Sequence, residues 1–229
     1  MAGDEGDLNG SGSTSPQPLA IAVLLSGSGR TLENLLAAIA AGELAARVGV
    51  VISSTPGVRG LEVAGAAGIP TRTIRRADAT GERAFEEAIY GALEPFAPDL
   101  IVLAGFLRRL PVPPLWAGRI LNIHPALIPE SAAAGQGFYG ERVHAAVLAS
   151  GAIESGATVH VVDAGYDTGP VVMRARVPVL PGDTPATLGA RVFAAECRLY
   201  PAAIRHYVAG HPELFGMNAS MVHPPPGVR

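Results

Sequence analysis

A single cysteine, Cys197, leaves no partner for an intrachain disulfide. Charge is sparse too. Only 16% of the residues are charged, and 17 basic against 20 acidic ones give a net charge of -3. Without a long basic run, binding to a nucleic-acid backbone has no support. Long apolar runs are also missing, since "IAVLL" and "LIVLAGFL" fall well short of the roughly 18 residues a membrane-spanning helix needs. No membrane partner is expected. The opening "MAGDEGDLNGSGSTSPQP" lacks the basic and apolar stretches of a signal peptide. Residues 1–17 therefore read as a flexible tail, and the protein as cytoplasmic.

What is present is a chain with 48% apolar residues in 229, enough for a sizeable core. Runs rich in Val, Ile and Leu alternate with segments of helical period, the pattern of βαβ units. The expected strands are "LAIAVLL", "RVGVVIS", "PTRTI", "DLIVLAG", "ILNIH", "ATVHVVD" and "PVVMRARV". Helices are expected over "TLENLLAAIAAG", "GLEVAGAAG", "GERAFEEAIYGALEPF", "YGERVHAAVLASG" and from about Pro185 to Ala209. The fold class is α/β: a single-domain, Rossmann-like, mainly parallel twisted sheet of about seven strands flanked by helices. Residues 18–213 form the domain and 214–229 a C-terminal tail. Cys197, close to Val192 and Phe193 in the last helix, reads as a buried structural thiol.

Three stretches carry polar side chains where chemistry can use them. In "LNIHPALIP", Asn122 and His124 are two apart on an expected strand, so they share a face, and Pro125 ends the strand just beyond them. In open α/β sheets that end of a strand is where ligands bind. In "LLSGSGRTLENLL", Gly27 and Gly29 permit a tight turn, Thr31 can cap the following helix, and Arg30 adds a positive charge, which together suit an anion such as phosphate. A βα turn with no ligand would show much the same residues. In "VDAGYDTGPVV", Asp163 reads as a turn former. Asp167 could reach His124 and would then favour the imidazolium and raise its pKa. His160 reads as a packed or supporting residue. His144, His206, His211 and His223 form no metal-ligand motif, so no metal is expected.

In order along the chain, "SGSGRTL", "PDLIVLAGFLRRL", "LNIHPALIP", "GATVHVVDAGYDTGPV" and "ECRLYP" resemble the phosphoribosylglycinamide formyltransferases, or GAR transformylases, of purine synthesis. The resemblance runs from about Leu19 to Tyr207. It implies transfer of a formyl group from the co-substrate 10-formyltetrahydrofolate to the amine of glycinamide ribonucleotide (GAR), with Asn122, His124 and Asp167 in the catalytic places. It also implies that Gly29, Arg30 and Thr31 hold the ribonucleotide phosphate and that Glu196 contacts its ribose. Leu107, Arg108, Arg109 and Leu110, with Asn122, would surround the folate. A homodimer is suggested only by analogy.

The chain departs from the family pattern in three places. Arg109 stands where an apolar residue is usual, Arg83 is only an offset candidate for a familiar arginine, and "ESAAAGQGFYGERVH" is long and alanine-rich. That last stretch could be a lid or a plain surface loop. The rival readings are a formyltetrahydrofolate hydrolase, a formyl transfer to a sugar nucleotide or aminoacyl-tRNA, and a non-catalytic phosphate-binding module. The first two usually carry an additional domain that this chain is too short to hold.

Overall fold

The computed structural model describes residues 17–131, 133, 135, 137 and 139–216. Seven strands, β1 (Leu19–Leu25), β2 (Ala46–Ser53), β3 (Thr71–Thr73), β4 (Leu100–Leu103), β5 (Ile120–His124), β6 (Glu154–Val161) and β7 (Val171–Pro178), form one sheet in the order β3-β2-β1-β4-β5-β6-β7. The first five are parallel, and β6 and β7 are antiparallel to their neighbours. The helices are α1 (Arg30–Ala40), α2 (Arg59–Ala66), α3 (Glu82–Leu93), α4 (Glu141–Ala149) and α5 (Pro185–Gly210).

The uninterrupted apolar runs arise because the central strands are covered on both faces. Along β1, Leu19, Ile21, Val23 and Leu25 enter one core layer, while Ala22 and Leu24 enter the other. In β4, Leu100 and Val102 face the first layer and Ile101 and Leu103 the second. The first layer is filled by α1, α4 and α5, through residues such as Leu32, Val143 and Val192. The second is filled from α3 by Phe85, Ile89 and Leu93.

Helix α5 is locked to the sheet and to α1 by two polar devices. Tyr200 is fully buried, and its hydroxyl lies 3.0 Å from each of the Leu103 and Leu121 carbonyls, tying α5 beneath the ends of β4 and β5. Pro201, inside α5, has no N–H for the carbonyl one turn before it. That carbonyl, on Cys197, instead accepts a hydrogen bond from Asn34 Nδ2 of α1 at 2.8 Å. The Cys197 thiol is only partly buried, contrary to the sequence expectation, because it sits beside the core stripe of α5 rather than within it. Most of both expected tails lies outside the described residues. Leu214 and Phe215 of the C-terminal one pack against the core after the short turn Pro212–Phe215.

Candidate active site

The strand order reverses beside β1, which has β2 on one side and β4 on the other. A crevice outside the carboxyl ends of the strands opens at such a switch point. Here it is a cavity of about 920 Å³ that reaches from Gly29 and Arg30 through Leu107 and Asn122 to Asp167 and Glu196.

At one end lies the turn between β1 and α1. Gly29 caps α1 with a left-handed φ of 74°, and a Cβ there would come within 2.5 Å of the Gly60 Cα. Gly60 is equally constrained, since its own Cβ would meet the Leu25 side chain, and its N–H donates to the Gly27 carbonyl at 3.1 Å. Two glycines thus allow the start of α2 to press against the turn. The first backbone N–H groups of α1 are left facing the cavity, where an anion is favoured. Thr31, expected to cap α1, lies inside the helix instead, because Gly29 takes the cap position without any side-chain bond. Glu196 of α5 lines the same end, and burial pushes its carboxyl up to about 7, although the charge of Arg30 opposes the rise.

At the other end, β5 delivers Asn122 and His124 from the same face, and Asp167 reaches both of them. Asp167 Oδ1 lies 3.3 Å from Asn122 Nδ2, and Asp167 Oδ2 lies 3.5 Å from His124 Nδ1. The loop that presents Asp167 is built around Asp163, whose carboxylate accepts from the Gly165 N–H at 2.9 Å and from the Thr168 hydroxyl at 2.7 Å. Asp163 is therefore a turn former. Asp167 itself adopts φ 55°, a left-handed conformation that Asp tolerates better than most residues.

Two contributors were missed or undervalued in the sequence. The first is His160 on β6, directly across from Asn122. Its Nδ1 lies 3.0 Å from the Val161 carbonyl, which can only accept, so Nδ1 donates. In the neutral ring Nε2 then accepts from Asn122 Nδ2 at 3.1 Å. Both amide hydrogens of Asn122 are thereby engaged, one on His160 and one on Asp167. The period-two alternation of "ATVHVVD" hinted at such a position. The second contributor is the segment after β5, whose Ala133 carbonyl lies 2.7 Å from His124 Nε2 and whose Gly135 N–H donates to Asp167 Oδ2 at 3.0 Å. Backbone groups leave no signature in a sequence, so nothing there could have revealed them.

The His124 electrostatics correct one expectation. Burial holds the ring's pKa below its ordinary value, and the pull of Asp167 and the Ala133 carbonyl in the other direction does not offset it. Proximity of the carboxylate was foreseeable, but the extent of desolvation was not. A neutral ring has one N–H, and the shorter contact, to Ala133, places it on Nε2. Burial alone would raise the Asp167 carboxyl, but its neighbours His160, His124 and the Gly135 N–H together hold it below the ordinary value.

The remaining expected site residues also line the cavity. Leu107 is exposed and its N–H donates to Ser26 Oγ at 2.9 Å, while Leu110 is buried in the second core layer. Arg108 is exposed. Arg109 Nη2 donates to the Ala164 carbonyl at 2.9 Å, which fastens the 107–110 segment to the loop carrying Asp167. Arg83 lies outside this cavity's lining and pairs with Glu87 at 2.8 Å along α3. Among the described residues, no group of three or more His, Cys, Asp or Glu side chains could hold a metal ion, and no helix is long and apolar enough to cross a membrane.

Comparison with known proteins agrees with this geometry. The formyl transferase family model matches residues 19–204. A phosphoribosylglycinamide formyltransferase from Mycobacterium tuberculosis is 41% identical over 206 residues, covering 89% of this chain and 92% of the relative. The Escherichia coli protein of the same name is 35% identical, covering 83% and 87%. The human trifunctional purine biosynthetic protein adenosine-3 is 39% identical over 196 residues, which is 85% of this chain but only 19% of that much longer protein. Among solved structures, glycinamide ribonucleotide transformylase 1 from Symbiobacterium toebii superposes with a TM-score of 0.79 at 39% identity, covering 86% of this chain and 91% of the other. On these grounds, and with a site at the switch point of its sheet, the chain belongs to the formyl transferase family.

Proposed function

We propose that the protein transfers the formyl group of 10-formyltetrahydrofolate to the primary amine of GAR in purine biosynthesis. The observation that carries this reading is the convergence of Asn122, His124 and Asp167 at one end of a cavity whose other end is a helix N-terminus suited to a phosphate. The names of relatives that this chain covers almost end to end support the acceptor. The two ends match a substrate that carries a phosphate at one extremity and a nucleophilic amine at the other. The 107–110 segment, between them, takes the folate.

The amine attacks the formyl carbon, the new C–N bond forms, and the carbonyl electrons move onto oxygen. Donors aimed at that oxygen lower the barrier. His124 supplies its Nε2–H, which the Ala133 carbonyl releases as the segment after β5 shifts. Asn122 supplies one amide hydrogen by giving up its longer bond, the one to Asp167. Asp167, held as a carboxylate, accepts the proton of the attacking amine and relays it to the folate nitrogen as the bond from that nitrogen to the formyl carbon breaks. The enzyme contributes no nucleophile of its own, because the substrate amine fills that role. We also place the protein in the cytoplasm, in keeping with a biosynthetic enzyme of soluble substrates.

A spectrophotometric assay of tetrahydrofolate formation tests the acceptor. Turnover that requires GAR is expected. Equal turnover without GAR would make the protein a hydrolase, and no turnover in either case would leave it a binding module.

A further inference from the structure

Arg30 is the first residue of α1, and its guanidinium carbon lies 3.7 Å from the ring centroid of Phe193 on α5. That is a close stack, well inside the roughly 6 Å at which an aromatic face attracts a cation. Arg30 is exposed, and among the described residues it forms no ion pair; the neighbouring acid Glu33 is bound by Arg59 instead, with 2.8 Å between Arg59 Nη1 and Glu33 Oε2. An arginine without such a pair would ordinarily sample many rotamers, at a substantial entropic cost to any contact that needs one of them. The ring restricts it. Phe193 is itself fixed by helix periodicity, because Ala186, Gly189, Ala190, Phe193 and Glu196 recur on the one face of α5 that lines the cavity. Opposite it stand the free N–H groups of the first turn of α1. The aromatic face thus carries a positive charge at the mouth of an anion-binding helix end, supplied by two helices that Asn34 and the Cys197 carbonyl hold together.

We propose that Phe193 is a positioning residue for the ribonucleotide substrate: its ring preorganises the Arg30 guanidinium over the β1–α1 turn, so that the charge is in place before the phosphate arrives. The inference rests on the reading of that turn as the phosphate end of the site. Stacking leaves the guanidinium edge free, so the fork of N–H donors remains available to phosphate oxygens while the ring covers one face. Preorganisation of this kind strengthens binding mainly by removing the cost of ordering the side chain.

The test compares Phe193→Leu, Phe193→Tyr, Arg30→Ala and the Arg30→Ala/Phe193→Leu double variant in steady-state assays, with inorganic phosphate as a competitor of GAR. Leucine keeps an apolar filling but removes the aromatic face. Phe193→Leu is expected to raise KM for GAR and weaken phosphate inhibition by about fivefold or more, the size of a lost cation–π contact. Its kcat and its KM for the folate should stay within about twofold, a margin set by ordinary assay scatter. Tyrosine should restore KM, and the double variant should bind GAR no worse than Arg30→Ala alone. Should the Phe193→Leu variant fail to fold, Phe193→Met gives the same comparison. Unchanged KM in Phe193→Leu, a matching rise in KM for folate, failure of tyrosine to rescue, or additive losses in the double variant would overturn the proposal. If Arg30→Ala leaves KM for GAR unaltered, the phosphate reading itself falls, and the role of Phe193 with it. A rise in Arg30→Ala without one in Phe193→Leu removes the role of Phe193 alone.

Discussion

The two ends of the cavity are built on opposite principles. The end beside α1 relies on backbone: a left-handed glycine cap, a second glycine pressed against it, and amide groups left free by helix geometry. The end beside β5 relies on side chains, with Asn122, His124, His160 and Asp167 bonded to one another in a partly desolvated cluster. The first is spoiled by adding an atom, because there is no room for a Cβ. The second is spoiled by removing one, because each polar group satisfies another. Binding and chemistry should therefore separate under mutation.

The largest effect is expected at the side-chain end. His124→Ala removes an oxyanion donor and should lower kcat by about 10² to 10³, with a melting temperature close to that of the parent protein. A loss confined to KM would erase the distinction between the two ends. At the backbone end, Gly29→Ala forces a Cβ against Gly60 and holds alanine at a left-handed φ, which costs roughly 1–2 kcal/mol in backbone strain alone. It should raise KM for GAR several-fold and lower stability, with a smaller change in kcat. A kcat loss as deep as that of His124→Ala would show that the turn does more than bind.

Asn34→Leu sharpens the comparison from a distance. It leaves the Cys197 carbonyl without the donor that replaces the missing Pro201 N–H, and an unsatisfied buried group of this kind costs about 1–3 kcal/mol. Thermal or denaturant melts should show that loss. Because Asn34 joins α1 to α5, KM for GAR should drift upward while kcat holds.

The smallest effect is in pH. Burial lowers the pKa of both His124 and His144, so the folded state takes up protons less readily than the unfolded chain. The unfolded histidines titrate near 6.5 and then bind more protons than the folded ones, so stability is full above that value and declines as pH falls below it. Melts between about pH 7.5 and 5 should show the decline, and His144→Gln should make it shallower. A protein that grew more stable over that interval would contradict the burial argument for both rings.

Much of the scaffold is legible in the sequence. The strand runs stand out because β1, β4 and β5 are apolar on both faces, and the spacing of Asn122 and His124 implies a shared direction. The antiparallel course of β6 and β7 does not stand out, since a strand's apolar pattern carries no polarity. Nor do the Ala133 and Gly135 contacts, which are made by backbone atoms. Thr31 misled because a Thr near a helix start resembles a cap whether or not a glycine has already taken the position. The direction of the His124 shift was misjudged for a related reason: "DAGYDTGP" advertises a carboxylate, but no short motif states how much water the fold excludes from its neighbour. Tyr200 and Pro201, within "ECRLYP", are visible as residues, while their tasks depend on carbonyls far away in the chain.

The proposed mechanism stands on Asp167 acting in the chemical step rather than in assembling the site. The decisive experiment is single-turnover transfer from bound 10-formyltetrahydrofolate to GAR in Asp167→Asn, measured beside the calorimetric affinities for both ligands. The transfer rate should fall by at least about 10², a loss on the scale of removing a general base, while both affinities stay within a few-fold of the parent. A transfer rate near that of the parent protein, with both ligands bound, would refute the role given to this carboxylate.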